Sequence, residues 1–286
     1  MVKVSVLMPI YNTKEEYLRE AIQSVLNQTF QDFEYLILNN SPSNTTLDEI
    51  VASYKDNRIH YVKSDYEMGI SKGRNKLMGL AQGEYLAVLD HDDICLPNRL
   101  EEEVKILDEH PEIGVVGCWV ERFPATKIAQ YPEHNEEIER YLMQGCAIPH
   151  TAAMIRKTAL ASLQYEEAFS PSEDYALWCR LLGKTEFYNI PKVLMKYRWY
   201  EGNTSKTQAK KMEQATEAIH AFVREEHPDI WQDVCENAPH IARIKLFGLI
   251  PCGRFIQKGN QRGRFFKYFP FITIKTKLYE AADGGR

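Results

Sequence analysis

The chain has no Cys-x-x-Cys pair; its six cysteines (Cys95, Cys118, Cys146, Cys179, Cys235 and Cys252) are scattered. That spacing argues against a zinc site and fits buried, reduced thiols in a cytoplasmic protein. No uninterrupted apolar run is long enough to span a bilayer. Nor is a cleavable leader expected, because Met-Val-Lys-Val-Ser-Val enters a strand directly. Acidic residues are missing from Arg243 to Lys277, a stretch that holds nine Lys or Arg. With a formal net charge of −5, the other residues sum to about −14 (−5 minus 9), so charge is segregated by region.

What is present is alternation. Val4 to Pro9 reads as a compact strand, and Thr13 and Glu16 have the spacing of a capping box. Tyr17, Ala21, Ile22, Val25 and Leu26 then recur at helical spacing. Phe33 to Leu38 is a second strand that closes on the polar turn Asn39 to Ser43, followed by a helix near Leu47 to Tyr54 and a strand at Ile59 to Val62. Strand–helix–strand alternation at this rhythm predicts an α/β fold with a mostly parallel sheet. A helix over Asn98 to Glu109 and a strand over Ile113 to Val120 continue the pattern, before a polar, proline-punctuated stretch from Pro124 to Glu136.

The most informative stretch is Glu84 to Arg99. Tyr85 to Leu89 reads as a strand buried on both faces, and it ends in Asp90, Asp92 and Asp93 with His91 between them. Crowded carboxylates repel unless something positive sits among them. Ligands of open α/β sheets bind outside the carboxyl ends of strands, and hard oxygen ligands on a short loop suit Mg²⁺ or Mn²⁺ shared with nucleotide phosphates. A solvated, acid-rich turn is the plainer alternative.

Gly69 to Asn75 opens a helix with Ser71 as its expected N-cap, and Lys72 and Arg74 fall in a first turn that prefers acids. Cations there are explained by an anion they bind, such as a diphosphate, or else by simple exposure to water. Pro149-His150-Thr151 precedes an apolar stretch, and His150 either faces a cleft or caps a turn. In Ser170-Pro171-Ser172-Glu173-Asp174, Ser170 as N-cap, Pro171 at the first helical position and Glu173 three residues after the cap predict a helix start. Glu173 is then accounted for by the cap, whereas Asp174 is left over as a candidate general base. Val193 to Tyr200 alternates like a strand, and Lys206 to Glu226 reads as one amphipathic helix. Aromatic and aliphatic residues interleaved with bases from Arg243 to Lys277 match a segment lying on an anionic membrane surface. No nucleic-acid module signature accompanies it, so no nucleic-acid partner is expected.

Together these stretches resemble the family 2 inverting glycosyltransferases with the glycosyltransferase A-type fold. Five segments carry the resemblance in the family's order: Val4 to Asn12, Ser24 to Phe33, Gly69 to Asn75, Gly83 to Arg99 and Ser172 to Leu177. The resemblance implies a Rossmann-like catalytic domain over residues 1–205; beyond it the residues themselves predict a helical, basic C-terminal extension, with a helical part over 206–242 and a basic, aromatic-rich segment over 243–286. It implies a nucleotide-diphosphate-sugar donor, expected to be a UDP-sugar, and a glycan or lipid-linked acceptor of bacterial surface polysaccharide synthesis. Pro9 and Tyr11 look like the residues flanking the base, and Arg74 is similar to the family's arginine near the donor. Asp90 and Asp92 match the Asp-x-Asp positions that meet ribose and metal, and Asp174 sits at the position of the catalytic base. The expected location is the cytoplasm, peripheral on the inner face of the plasma membrane.

Two departures stand out. Asn39 occupies the place of an Asp that accepts a hydrogen bond from uracil, although its amide can both accept and donate. Tyr200 stands where members often carry a His, so Tyr200 or Arg198 is expected to compensate. They suggest a competing reading, a catalytically inactive sugar-nucleotide binder; retained Asp90, Asp92 and Asp174 favour the enzyme. A sugar-nucleotide pyrophosphorylase would want a glycine-rich loop after the first strand, and Pro9-Ile10-Tyr11-Asn12 offers none.

Overall fold

The computed structural model describes residues 2–237, 240–246, 250–257 and 272–277. The chain runs β1 (Val4–Ile10), α1 (Glu15–Leu26), β2 (Phe33–Asn39), α2 (Thr45–Ala52), β3 (Ile59–Lys63), α3 (Ile70–Leu80), β4 (Tyr85–Val88), β5 (Ile94–Cys95), α4 (Arg99–Glu109), β6 (Ile113–Phe123), β7 (Lys127–Ala129), α5 (Asn135–Leu142), β8 (Met154–Arg156), α6 (Lys157–Leu160), α7 (Glu173–Leu181) and β9 (Glu186–Arg198). Helices α8 (Thr204–Thr207), α9 (Ala209–Glu226) and α10 (Pro228–Asn237) follow.

The central sheet has the order β3-β2-β1-β4-β8-β6-β9-β5, with β7 paired to β6. Strands β1, β2, β3, β4, β6 and β9 all run the same way, while β5, β7 and β8 run against them. The sheet is therefore mostly parallel, as expected, with the short β8 wedged antiparallel between β4 and β6.

Side chains of β1 alternate between two cores, as strand geometry requires. Val4, Val6, Met8 and Ile10 pack with Leu18, Ile22, Ile50 and Leu100 from α1, α2 and α4. Leu7, with Leu36 and Leu38 of β2, packs on the opposite face with Leu77 of α3, Trp178 of α7 and Ile219 and Val223 of α9. Each such side chain contributes about 1.5–3 kcal/mol through burial. Gly83 lets the chain return close to β1, since a Cβ there would lie 2.5 Å from the Ser5 backbone nitrogen. The Gly83 amide instead donates to Ser5 Oγ (2.8 Å), which itself donates to Glu34 (2.5 Å).

Several helix starts differ from the sequence reading. Helix α1 begins at Glu15 with Lys14 as N-cap, so the Thr13–Glu16 box does not form, and Thr13 Oγ1 is buried without a hydrogen bond. Helix α3 is capped by Gly69, whose φ of 78° favours glycine, and Ser71 falls inside the first turn. Helix α7 begins at Glu173 after Ser172, so Ser170 is not its cap and Pro171 is not helical. The amphipathic helix read over 206–226 is interrupted at Gln208, between α8 and α9.

The helical part of the extension ends at Asn237. The expected helical character of the basic segment needs correction, because the described stretches His240–Leu246, Ile250–Gln257 and Ile272–Lys277 pair as antiparallel strands β10, β11 and β12. Isoleucine and threonine at alternate positions of Ile272–Lys277 suit a strand better than a helix. The interfacial reading of Arg243 to Lys277 concerns side chains that lie outside the described residues. Among the described residues, no helix is long and apolar enough to cross a membrane.

Candidate active site

The carboxyl ends of β1, β4, β6 and β9, with the start of α7, open into one cleft of ≈ 1020 Å³. The first half of the sheet supplies Pro9, Tyr11, Asn40, Arg74, Asp90 and Asp92, and the second half supplies Arg122, His150, Glu173, Asp174, Trp199 and Tyr200. Residues far apart in sequence thus meet because parallel strands end on the same edge.

At the centre lies a buried ionic network. Arg74, only 7% exposed, donates from Nη2 to Asp90 Oδ1 (2.9 Å) and from Nη1 to Glu173 Oε1. Burial alone would lower the Arg74 pKa, but Asp90 and Glu173 raise it above the ordinary arginine value. Burial pushes the Asp90 carboxyl up, yet Arg74 and then His150 more than offset it and hold the group well below the usual range. His150 is buried, with Nδ1 3.5 Å from Asp90 Oδ1 and Nε2 3.0 Å from the Tyr165 hydroxyl. Both terminal nitrogens of Arg74 are therefore committed to protein carboxylates, and Lys72 pairs with Glu167 at 2.8 Å. The cap explanation of Glu173 is replaced by a different one: its carboxylate turns to a guanidinium 99 residues away in sequence. Asp174, the next residue, is half-buried and lines the cleft with no hydrogen bond or ion pair to the described residues, so it is free to accept a proton.

The acid loop is held from behind. Arg99, fully buried, donates from Nη2 to the Val88 (3.1 Å) and Ala153 (3.2 Å) carbonyls and from Nε to Glu103 (3.0 Å). Arg198 does not line the cleft; its Nε donates to the Asp92 carbonyl (2.8 Å) and its amide to Asp93 Oδ1 (2.8 Å). Its guanidinium lies over Tyr17 (4.1 Å) and Phe123 (4.5 Å) and also binds Glu20. Burial, then repulsion by Asp92 and Asp90, pushes the Asp93 carboxyl well above its ordinary value. Burial and the adjacent Asp92 carboxylate likewise raise the Tyr200 phenol, which puts Tyr200 beside Asp92.

Among the described residues, no group of three or more His, Cys, Asp or Glu could cage a metal ion. Mg²⁺ and Mn²⁺ commonly take one or two carboxylates and complete their shells with water and substrate phosphates. The Asp92 carboxylate, facing the cleft while Asp90 is tied to Arg74, fits an ion that arrives with a diphosphate.

Asn39 is not brought to the cleft. It is fully buried, its Nδ2 donates to Asp48 Oδ1 (2.9 Å), and its Oδ1 accepts from the Ser41 amide (2.8 Å). Asp48 also takes Tyr61 and Lys63 (2.5 Å). The next residue, Asn40, lines the cleft and pins the chain ahead of α3 through the Met68 amide (3.0 Å) and the Gly69 carbonyl (3.1 Å).

Sequence comparison fits this architecture: the profile of Glycosyl transferase family 2 matches residues 5–169, more than half of the chain. The chain belongs to glycosyl transferase family 2. This family 2 chain is 36% identical over 203 residues to an uncharacterized glycosyltransferase of Methanocaldococcus jannaschii, covering 68% of this chain and 70% of the relative. It is 25% identical over 222 residues to an Escherichia coli protein, WfgD, named UDP-Glc:alpha-D-GlcNAc-diphosphoundecaprenol beta-1,3-glucosyltransferase, covering 77% and 86%. Among solved structures, S. aureus TarS 1-349 with UDP-GlcNAc superposes with a TM-score of 0.64 at 20% identity, covering 81% of this chain and 71% of TarS. The mannosyltransferase PcManGT of Pyrobaculum calidifontis, in complex with GDP-Man and Mn²⁺, gives 0.58 at 14% identity, covering 81% and 72%. At those identities the structural likeness concerns the fold.

Proposed function

We propose that this family 2 glycosyltransferase moves a sugar from a nucleotide-diphosphate donor, a UDP-sugar, to a hydroxyl of a glycan or lipid-linked acceptor, with inversion. The observation that supports this best is that Asp92 and Asp174, from opposite halves of the sheet, line the same cleft. Asp174 takes the acceptor hydroxyl proton as that oxygen bonds to the anomeric carbon. The bond from the anomeric carbon to the diphosphate breaks on the opposite face, and its electron pair leaves with the nucleoside diphosphate. Asp92 would hold Mg²⁺ or Mn²⁺, which when bound offsets the charge gathering on the departing diphosphate. Pro9 and Tyr11 flank the base, and Asp90 meets the ribose while Arg74 fixes its carboxylate. Glu173 and Arg198 act as positioning residues, for Asp174 and for the acid loop respectively.

Two similar proteins support the substrate classes: WfgD is named for UDP-Glc and a diphosphoundecaprenol-linked acceptor, and TarS was solved with UDP-GlcNAc. Within this reading the catalytic unit spans residues 1–205, and the basic segment of 243–286 holds the enzyme at the inner face of the plasma membrane. The test is a panel of nucleotide sugars, each measured by thermal shift with Mn²⁺ and with EDTA. A shift for one UDP-sugar that EDTA removes and Asp92→Ala weakens supports the reading; metal-independent binding, or no binding, contradicts it.

A further inference from the structure

The second half of the cleft contains a cation with no carboxylate partner among the described residues. Val120 and Arg122, two apart on β6, share one face and both line the cleft. Arg74 is tied to Asp90 and Glu173 and Arg198 to Glu20, whereas Arg122 makes no ion pair with any of the described residues. Its guanidinium lies 5.3 Å from the centroid of the Trp199 ring, and Trp199 is fixed by its amide donating to the Phe123 carbonyl (2.9 Å). The ring of Tyr197, also in the cleft, lies 6.1 Å from that of Trp199.

Burial pushes the Cys146 thiol up and Asp174 adds to it, and both residues line the cleft. Burial and then Cys146 push the Tyr131 phenol up to about 12, while Arg122 pulls it back, and Tyr131 lines the cleft with both. Tyr197 precedes Arg198, whose amide donates to Asp93 Oδ1 (2.8 Å), so it adjoins the acid loop. Asp174, Cys146, Tyr131, Arg122, Trp199 and Tyr197 all line this one cleft. An acceptor whose hydroxyl reaches Asp174 therefore shares one cleft with Arg122.

We infer that Arg122 and Trp199 form an acceptor subsite for the diphosphate ester on the reducing end of the acceptor. This rests on the reading above of a lipid-linked acceptor and names the residues that grip it. A guanidinium suits phosphate because its planar fork donates bidentately. Trp199 holds that fork by cation–π contact and offers an apolar ring against the sugar. In a cleft whose other charges are mostly acidic, an arginine without an ion pair attracts an anionic substrate group; Lys14, over Tyr17 (5.1 Å), is a second such cation, on the half of the cleft that holds Pro9 and Tyr11.

The test is calorimetric, on the full chain saturated with UDP and Mn²⁺ so that the donor half is filled. The probes are GlcNAc-diphosphate carrying a phenoxyundecyl chain and the neutral phenoxyundecyl N-acetylglucosaminide. The parent is expected to bind the diphosphate ester at least about 10-fold more tightly than the neutral glycoside. Arg122→Gln should erase that preference without changing the neutral glycoside's affinity, and Arg122→Lys should retain part of it; UDP titration of each variant reports a folded donor half. Equal affinities in the parent, no binding of either probe, or a preference that survives Arg122→Gln would overturn the inference. Failure of the glycosyltransfer reading is a different result, namely no metal-dependent binding of any nucleotide sugar.

Discussion

Arg74 donates simultaneously to Asp90 and Glu173, so the buried Arg74–Glu173 ion pair ties the helix bearing Asp174 to the acid loop bearing Asp92. With Arg74 7% and Glu173 3% exposed, neither charge has water to fall back on. Removing one partner of such a pair costs about 3–5 kcal/mol. Glu173→Ala should therefore lower unfolding stability by that order, measured by urea denaturation. Glu173→Gln keeps the shape and loses the charge; its kcat should fall more than its KM for donor rises, because Asp174 is displaced rather than donor contacts removed.

Asn39 and Asp48 make a second testable pair. An aspartate at 39 would bring its carboxylate to where Nδ2 now meets Asp48 Oδ1 at 2.9 Å. Two carboxylates at that separation repel by roughly 6 kcal/mol at an effective dielectric near 20, part of which relaxation relieves. Asn39→Asp should lose about 2–4 kcal/mol at neutral pH, and the exchange Asn39→Asp with Asp48→Asn should recover most of it. A double-mutant cycle in urea measures the coupling.

Acid sensitivity of folding is separable from chemistry at the site. Asp56 is held at about 2, chiefly by side-chain hydrogen bonds from Arg58, against an ordinary value of 3.8. Because the folded value lies below the unfolded one, the stabilisation is fully present above about pH 4 and is lost as pH falls toward 2. Asp56→Asn should flatten the stability profile in that window, read by melting temperature, and leave the profile above pH 5 parallel to the parent.

Arg99 supports the acid loop from the core, where it is fully buried and bonded to the Val88 and Ala153 carbonyls and to Glu103. Arg99→Met would strand these acceptors and a buried acid, so a loss of about 3–5 kcal/mol is expected in denaturant. Arg99→Met with Glu103→Leu should recover part of that loss.

Strands β1, β2 and β4 were legible because both faces are buried and their apolar runs are bounded by polar turns. The residues carrying the family pattern, Pro9, Tyr11, Arg74, Asp90, Asp92 and Asp174, line one cleft because parallel strands share an edge. Glu173 was not legible, since local capping chemistry explained it and its partner Arg74 is distant in the chain. Asn39 misled for a similar reason: Asp48, nine residues on, claims its amide. Strand β8 is only three residues long and gives no period to read. Arg122 and Tyr131 fall at the edges of a stretch whose polarity resembles an ordinary loop, and only pairing of β6 with β9 carries Arg122 to Trp199.

The most direct measurement compares Asp174→Asn with the parent for two quantities, sugar transfer and calorimetric binding of the donor with Mn²⁺. The account predicts that transfer falls at least about 10³-fold while the donor dissociation constant changes less than about 3-fold. Retained transfer, or loss of donor binding equal to the loss of turnover, would contradict it.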